Sequence, residues 1–450
     1  MKFEEFLTAA ASVRPSARQL AWYDTEFYAF VHFTVNTYTD LEWGLGNEPE
    51  SIFNPYDLDC DEWVSAIKSA GMKGLVLTAK HHDGFCLWPS QYTEHSVKNS
   101  PWKNGKGDVV RECAEACKRG GIKFGVYLSP WDRNSEFYGT PEYNDYYCNQ
   151  LTELLTNYGE LFMVWFDGAC GEGPNGKKQE YDFDRYIALI RKYQPNAAIF
   201  NDHGPDVRWC GNEAGSARAA EWAVMPSELC WHAEVQTGAG PLAGKLDFLY
   251  NPDPELGSLP NILYSKGLTF TGAEIDMSIR KGWFWHKEQE PHSVERLFNT
   301  YVNSCGANTS FNLNIPPMPS GRFDPRDIAR LKEFGDALKS AFGDEKSVET
   351  QVERVPVSET QVKYEIKLDK PEIPAWLDLA EDITKGQRVE AFRIYAGDRV
   401  LYRGTTIGHR KLCKIEGYPG EELPAFDRLT VFITAARGEV SLKEPKVYRA

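Results

Sequence analysis

Residues 160–173 read ELFMVWFDGACGEG. Phe162 to Phe166 is an unbroken apolar run, the pattern of a strand covered on both faces, as in a parallel sheet. The run stops at Asp167 and Gly168 and passes into a glycine-rich loop. A buried strand gains nothing from a charge at its tip. An active site built at strand ends does, although a carboxylate there could equally cap the loop that follows.

The same unit recurs on either side. The runs at 28–35, 74–79, 123–129, 161–168 and 197–202 read as strands, and amphipathic segments at 60–71, 108–121, 144–159 and 182–195 read as helices between them. Strand and helix in alternation imply parallel strands joined by crossovers, either a closed (β/α)8 barrel or an open doubly wound sheet. No GxGxxG follows the first strand, which removes the main support for a dinucleotide-binding sheet. Polar residues instead collect where strands end: His32, His81, His82, Tyr127, Asp167 and Asp202. A barrel assembles its active site from the C-terminal ends of several strands, so the pattern favours the barrel. Further strands are expected at 274–279 and 308–317, and a closing helix at 325–342. The region 203–272, rich in Gly, Pro and Trp, reads as long loops over the site. From about 347 onward helical periodicity gives way to short alternating runs, which predict a small all-β sandwich. The expected division is a TIM-like barrel over 1–345 and a β-sandwich over 346–450.

Bulk properties narrow the function. A formal net charge of -15 over 450 residues argues against nucleic acid or an anionic membrane as partner. Ten cysteines without a CxxC pair read as scattered reduced thiols. The amino terminus carries Glu4 and Glu5 and no long apolar core, so it does not read as a signal peptide, and no run approaches a membrane span; a cytoplasmic protein is expected.

Four stretches could carry chemistry. The pair His81 and His82 at a strand tip could bind a metal or hydrogen-bond a polyhydroxylated ligand, but it lacks the recurrent His and carboxylate spacing of a metal barrel. Glu42 beside Trp43 suits a sugar, the acid accepting hydroxyl hydrogen bonds and the ring covering an apolar face, while packing alone would explain the Trp. Glu213, between Asn212 and Ala214 in a loop with Trp209, could donate a proton, although most loop glutamates are merely solvated. With Asp167 these residues supply two carboxylates, histidines and aromatic rings at a barrel mouth, the equipment for glycoside hydrolysis. No GxSxG elbow and no P-loop occurs.

Six segments taken in order, EFYAFVHFTVNTYTDLEWG, LTAKHHDGFCLWPS, FGVYLSPWD, VWFDGACGEGPNG, DVRWCGNEAG and SIRKGWFWH, resemble the family 29 glycoside hydrolases, the retaining α-L-fucosidases, over roughly residues 15–340. The resemblance implies a (β/α) barrel with a C-terminal sandwich, Asp167 as nucleophile, and Glu213 as acid/base. It places His32, His81 and His82 on fucose hydroxyls, with Glu42, Trp43, Tyr127 and Trp165 also at the sugar, and Arg280 and Trp283 approaching from the far side. It implies a fucosylated oligosaccharide as substrate, no cofactor and no metal. RQLAWYDTEFYAFVHF and RWCGNEAG are more similar to the subfamily that prefers branched α-1,3/1,4 fucosides. Thr34, where a small residue is usual, and Lys281 and Trp285 in the last segment depart from the common pattern. Two rivals follow from the same residues: a catalytically silent fucose-binding barrel, and a metal-dependent hydrolase built on His81, His82 and Asp167.

Overall fold

The computed structural model describes residues 3–202, 204–227, 257–263 and 267–450. Cys230 and nearly half of the region expected to loop over the site lie outside the described residues.

Eight parallel strands close into a barrel in the order β1-β10-β9-β6-β5-β4-β3-β2. They are β1 (Phe27–Val31), β2 (Gly74–Lys80), β3 (Lys123–Leu128), β4 (Met163–Trp165), β5 (Ala198–Phe200), β6 (Val207–Trp209), β9 (Gly272–Ser278) and β10 (Thr309–Asn314). Between β6 and β9 a short antiparallel pair, β7 (Val224–Pro226) and β8 (Leu268–Phe270), forms outside the barrel. Helices Cys60–Ser69, Val109–Gly120 and Phe183–Tyr193 fall where periodicity placed them. Each begins at an aspartate, Asp59, Asp108 or Asp182, whose side chain accepts a hydrogen bond from the backbone N–H three residues on, satisfying a donor that the helix leaves open.

Several elements differ from the sequence expectation. The first strand ends at Val31 rather than running to 35, and Asn36–Thr39 turns as a short helix. The strand β6 and the helix Val294–Val302 were not foreseen. β6 is three residues long, and its middle residue is Arg208, a poor strand signal. The arginine is buried on the outer face against Glu221 at 2.7 Å, so the barrel tolerates a charge that pattern reading takes for a loop.

Alternation along the strands sorts the core. Phe27, Ala29, Val31, Leu75, Leu77, Val126, Val164, Ile199, Ile275 and Phe311 face the helices and form the larger apolar cluster. Tyr28, Phe30, Val76, Tyr127, Met163, Trp165, Ala198, Phe200 and Val207 fill the barrel interior. With a side-chain period of two, the inward series on β4 runs Met163, Trp165, Asp167. On β5 it runs Ala198, Phe200, Asp202, and on β9 Glu274, Asp276, Ser278. Each series is apolar or hydrogen-bonded in the barrel and polar at its C-terminal mouth.

After the helix Pro325–Phe342 come two antiparallel sheets. One has the order β11-β19-β14-β17 (Ser347–Val348, Lys446–Arg449, Pro374–Leu379, Lys411–Lys414), and the other β12-β13-β18-β15-β16 (Thr350–Pro356, Val362–Glu372, Phe426–Ala436, Val389–Ala396, Arg399–Gly404). Their inner faces share a core that includes Ile366, Leu377, Phe392, Val431 and Val447. Arg410 ties this β domain to the barrel through Glu26 at 3.0 Å, while also meeting Asp378 at 2.8 Å within its own sheet. Leu412 N–H donates to Gly306 O. Glu26 precedes β1 and Gly306 precedes β10, so the β domain braces the barrel at the end opposite the mouth.

Candidate active site

A cavity opens at the mouth, lined by Phe30, His32, Trp43, His81, His82, Tyr127, Trp165, Asp167, Glu213, Asp276 and Trp283. Nine of the eleven site residues expected from sequence meet there, contributed by six strands and the loops behind them. Larger clefts occur against helix Val294–Val302 and at the N-terminal end of the barrel, but neither contains a histidine.

Asp167 is held from two sides. Ala169 N–H donates to Oδ1 at 2.7 Å, and the Tyr127 hydroxyl donates to Oδ2 at 3.1 Å. Gly168 is required here, because a Cβ at that position would overlap the Asp202 carboxyl. Burial, and secondarily the charge of Asp167, push Asp202 up to about 7, so much of it is neutral beside its neighbour near neutral pH.

The hydrogen-bond network sets the histidine tautomers. Asn314 donates through Nδ2 to Ser278 Oγ and Trp283 O, so its Oδ1 must accept, and His32 Nδ1 at 2.9 Å is the donor. Ser129 Oγ donates to Trp131 O and so accepts from His82 Nδ1 at 2.7 Å. Both rings therefore keep Nε2 as an acceptor. His82 Nε2 stands 3.9 Å from Asp167 Oδ2, two acceptors facing one gap that a ligand hydroxyl could serve. Burial lowers all three histidines, His32 to about 3, so they are neutral imidazoles at pH 7. His81 packs among His32, His82, Tyr127 and Phe284. Among the described residues no group of three or more His, Cys, Asp or Glu is arranged to hold a metal ion.

Aromatic rings wall the cavity. Trp165 stacks on Phe200 at 4.0 Å and on Tyr127 at 5.4 Å, and its Nε1–H donates to Glu274 at 2.8 Å. Trp283 lies 5.0 Å from His32. Trp43 is 58% exposed and stands edge-on to Trp131 and His82, an uncovered apolar face at the rim.

Glu213 sits in a tight loop closed by Asn212, whose Oδ1 accepts from Ala214 N and Ser216 N while Nδ2 donates to Ser216 O. Partial burial raises its pKa and a hydrogen bond from the Trp283 side chain lowers it, while Asp167 and Glu42 raise it further; the net shift is upward.

Two expected contacts are placed differently. Glu42 does not line the cavity. Its Oε2 accepts from Trp283 N–H at 2.7 Å and its Oε1 meets His286 Nε2 at 2.5 Å, so it holds Trp283 in place. Gly282 permits that approach, since a Cβ there would strike Glu42. Arg280 does not reach the sugar side either. The chain leaves β9 after Ser278 and carries Arg280, 1% exposed, to the start of helix Pro325–Phe342, where it pairs with Asp324 at 2.9 Å and Asp327 at 2.8 Å. Replacing it as Arg280→Met strands the Asp327 carboxyl in the interior, while Asp324 keeps Arg326 at 2.7 Å. A loss of about 3–5 kcal/mol of stability is expected in urea unfolding. A variant of unchanged stability with weakened sugar binding would return Arg280 to the site.

The departures from the family pattern are accommodated locally. Thr34 donates to Asp83 Oδ2 at 2.9 Å, and Trp285 Nε1–H donates to Asp324 at 3.0 Å. Sequence reasoning missed Asp276, Phe30 and Glu274. The only signal for the two acids was their spacing of two on β9.

A closed parallel barrel with carboxyls, neutral imidazoles and bare aromatic faces at its C-terminal mouth has the layout of a glycoside hydrolase. A family model described as Alpha-L-fucosidase matches residues 9–223. The chain is 40% identical over 434 residues to alpha-L-fucosidase 1 of Arabidopsis thaliana, a match covering 89% of this chain and 81% of that protein. A crystallised relative from Bacteroides ovatus is 41% identical with a TM-score of 0.89, covering 100% of this chain and 76% of that one. A Ruminococcus gnavus fucosidase, solved in complex with fucose, is 29% identical with a TM-score of 0.81, covering 98% and 95%. The chain belongs to the α-L-fucosidases of glycoside hydrolase family 29.

Proposed function

We propose that the chain is a retaining α-L-fucosidase that removes terminal α-1,3/1,4-linked fucose from branched oligosaccharides, with Asp167 as nucleophile and Glu213 as acid/base. The observation that carries the roles is the pairing in one cavity of a carboxylate fixed by two donors, Tyr127 and Ala169, with a second carboxyl whose surroundings favour its protonated form. Asp167 attacks the anomeric carbon. Glu213 gives its proton to the departing oxygen, and an ester forms between Asp167 and fucose. Glu213, now a carboxylate, takes a proton from water, which attacks the anomeric carbon and frees Asp167.

The neutral imidazoles of His32 and His82 accept hydrogen bonds from sugar hydroxyls through Nε2, and Trp43 and Trp283 cover the apolar face. A cytoplasmic location remains part of this reading, and the nine cysteines among the described residues are unpaired. The linkage preference rests on the wording of the segments around β1 and Glu213. It is tested by fucose release from branched Lewis-type trisaccharides against simple α-1,2 disaccharides. Faster release from the α-1,2 set would reject it.

The Trp283 hydrogen bond gives a pH prediction. Glu213 must be protonated to act as acid, so activity falls as pH rises through its pKa. The indole N–H stabilises the carboxylate, and Trp283→Phe removes it while keeping an aromatic wall. The alkaline limb of kcat/KM should move to higher pH. An unmoved limb would separate Trp283 from the acid.

A further inference from the structure

Glu213 and Asp167 are not the only carboxyls in the cavity. Asp276, the second inward acid of β9, lines it too, although it is 4% exposed. Its Oδ1 accepts from Trp209 Nε1–H at 2.8 Å, and its Oδ2 has no hydrogen-bond partner among the described residues. Trp209 ends β6, four residues before Glu213, so this bond ties β9 to the strand that delivers Glu213.

We propose that Asp276 is a third carboxyl of the sugar site, a neutral acid that keeps Oδ1 on Trp209 and donates a hydrogen bond from Oδ2 to a fucose oxygen. The inference rests on the fucosidase reading of the cavity and goes beyond its two catalytic carboxyls.

The surroundings support a protonated group. The groups that face Asp276 are Trp209 from β6, Glu274 from its own strand, Glu213 from the loop after β6, and Asp167 from the end of β4. Burial raises Asp276 well above the usual carboxylate range, the Trp209 hydrogen bond lowers it, and the three acids raise it further. Another charge between Asp167 and Glu213 would be repelled by both. A neutral acid instead offers the sugar a donor, which the neighbouring His32 and His82 Nε2 atoms cannot. The cavity then presents acceptors to some fucose hydroxyls and a donor to another oxygen, and this fixes the orientation of the ring.

The test uses the difference between a neutral acid and a carboxylate. Asn reproduces the neutral acid: its Oδ1 accepts from Trp209 and its Nδ2–H donates to the sugar. Asn cannot reproduce a carboxylate whose second oxygen accepts. Binding of L-fucose at neutral pH is measured by calorimetry on the wild type, Asp276→Asn and Asp276→Ala. Asp276→Asn should bind within a few-fold of the wild type, and Asp276→Ala should bind about ten- to a hundred-fold more weakly, the usual effect of losing one buried hydrogen bond. In a series of monodeoxy and O-methyl fucoses, one change should weaken the wild type and Asp276→Asn but not further weaken Asp276→Ala. Loss of binding in Asp276→Asn equal to that in Asp276→Ala would overturn the proposal, because it marks a carboxylate acceptor. Unchanged binding in Asp276→Ala would overturn it as well. Should Asp276→Ala fail to fold, the isosteric Asn variant decides alone. If L-fucose does not bind the wild type at all, the failure lies in the fucose reading of the cavity and not in the role of Asp276.

Discussion

Asp167→Ala should reduce turnover of every α-L-fucoside by about ten-thousand-fold or more, because it removes the group that forms the bond to the sugar, and single losses of a covalent nucleophile are of that size. The loss should be the same for activated aryl fucosides and oligosaccharides, since a better leaving group does not supply a missing nucleophile. Sodium azide offers a small anion that fits the vacated volume between Tyr127 and Ala169. Rescue should therefore yield β-L-fucosyl azide from a single displacement. An α-azide from this variant would mean that another group still forms the intermediate.

Glu213→Ala should act differently on different substrates. The nucleophile remains, so a fucoside of an acidic phenol still leaves without a proton and the intermediate accumulates. An oligosaccharide needs the proton, and its rate should fall by about a hundred- to ten-thousand-fold. Azide here should attack the intermediate and give the α-azide. Equal slowing of an activated aryl fucoside and a branched oligosaccharide would disqualify Glu213. Asp276, the other carboxyl of the cavity, would then be the next candidate.

Much of the site was legible in the sequence because it obeys the period of the strand. Asp167 continues the inward series Met163, Trp165, and the histidines follow β1 and β2 directly. Where the chain departs from strand geometry the reading fails. Arg280 lies two residues beyond Ser278, the inward parity, but the backbone turns away at the end of β9 and delivers it to Asp324 and Asp327. Glu42 stands beside the correctly placed Trp43, yet its oxygens serve Trp283 and His286. Asp276 was missed for the opposite reason. In EIDMSI the acids alternate with apolar residues, which reads as a strand with one solvated face. In a closed barrel that face points inward, and Glu274 stays hydrogen-bonded to Tyr28, Trp165 and Asn312 with its pKa pushed up to about 7 by burial. The eighth strand, β6, escaped because three residues around an arginine carry no periodic signal.

The central claim is a covalent bond between fucose and Asp167, and trapping tests it most directly. A 2-deoxy-2-fluoro-α-L-fucoside with an activated leaving group reacts to the intermediate and is hydrolysed slowly from it. Digestion and mass spectrometry of the inactivated protein should find one fluorofucosyl group, on the peptide containing Asp167. A label on the peptide of Glu213 or Asp276, or rapid turnover without a label and with inverted β-fucose as first product, would contradict it.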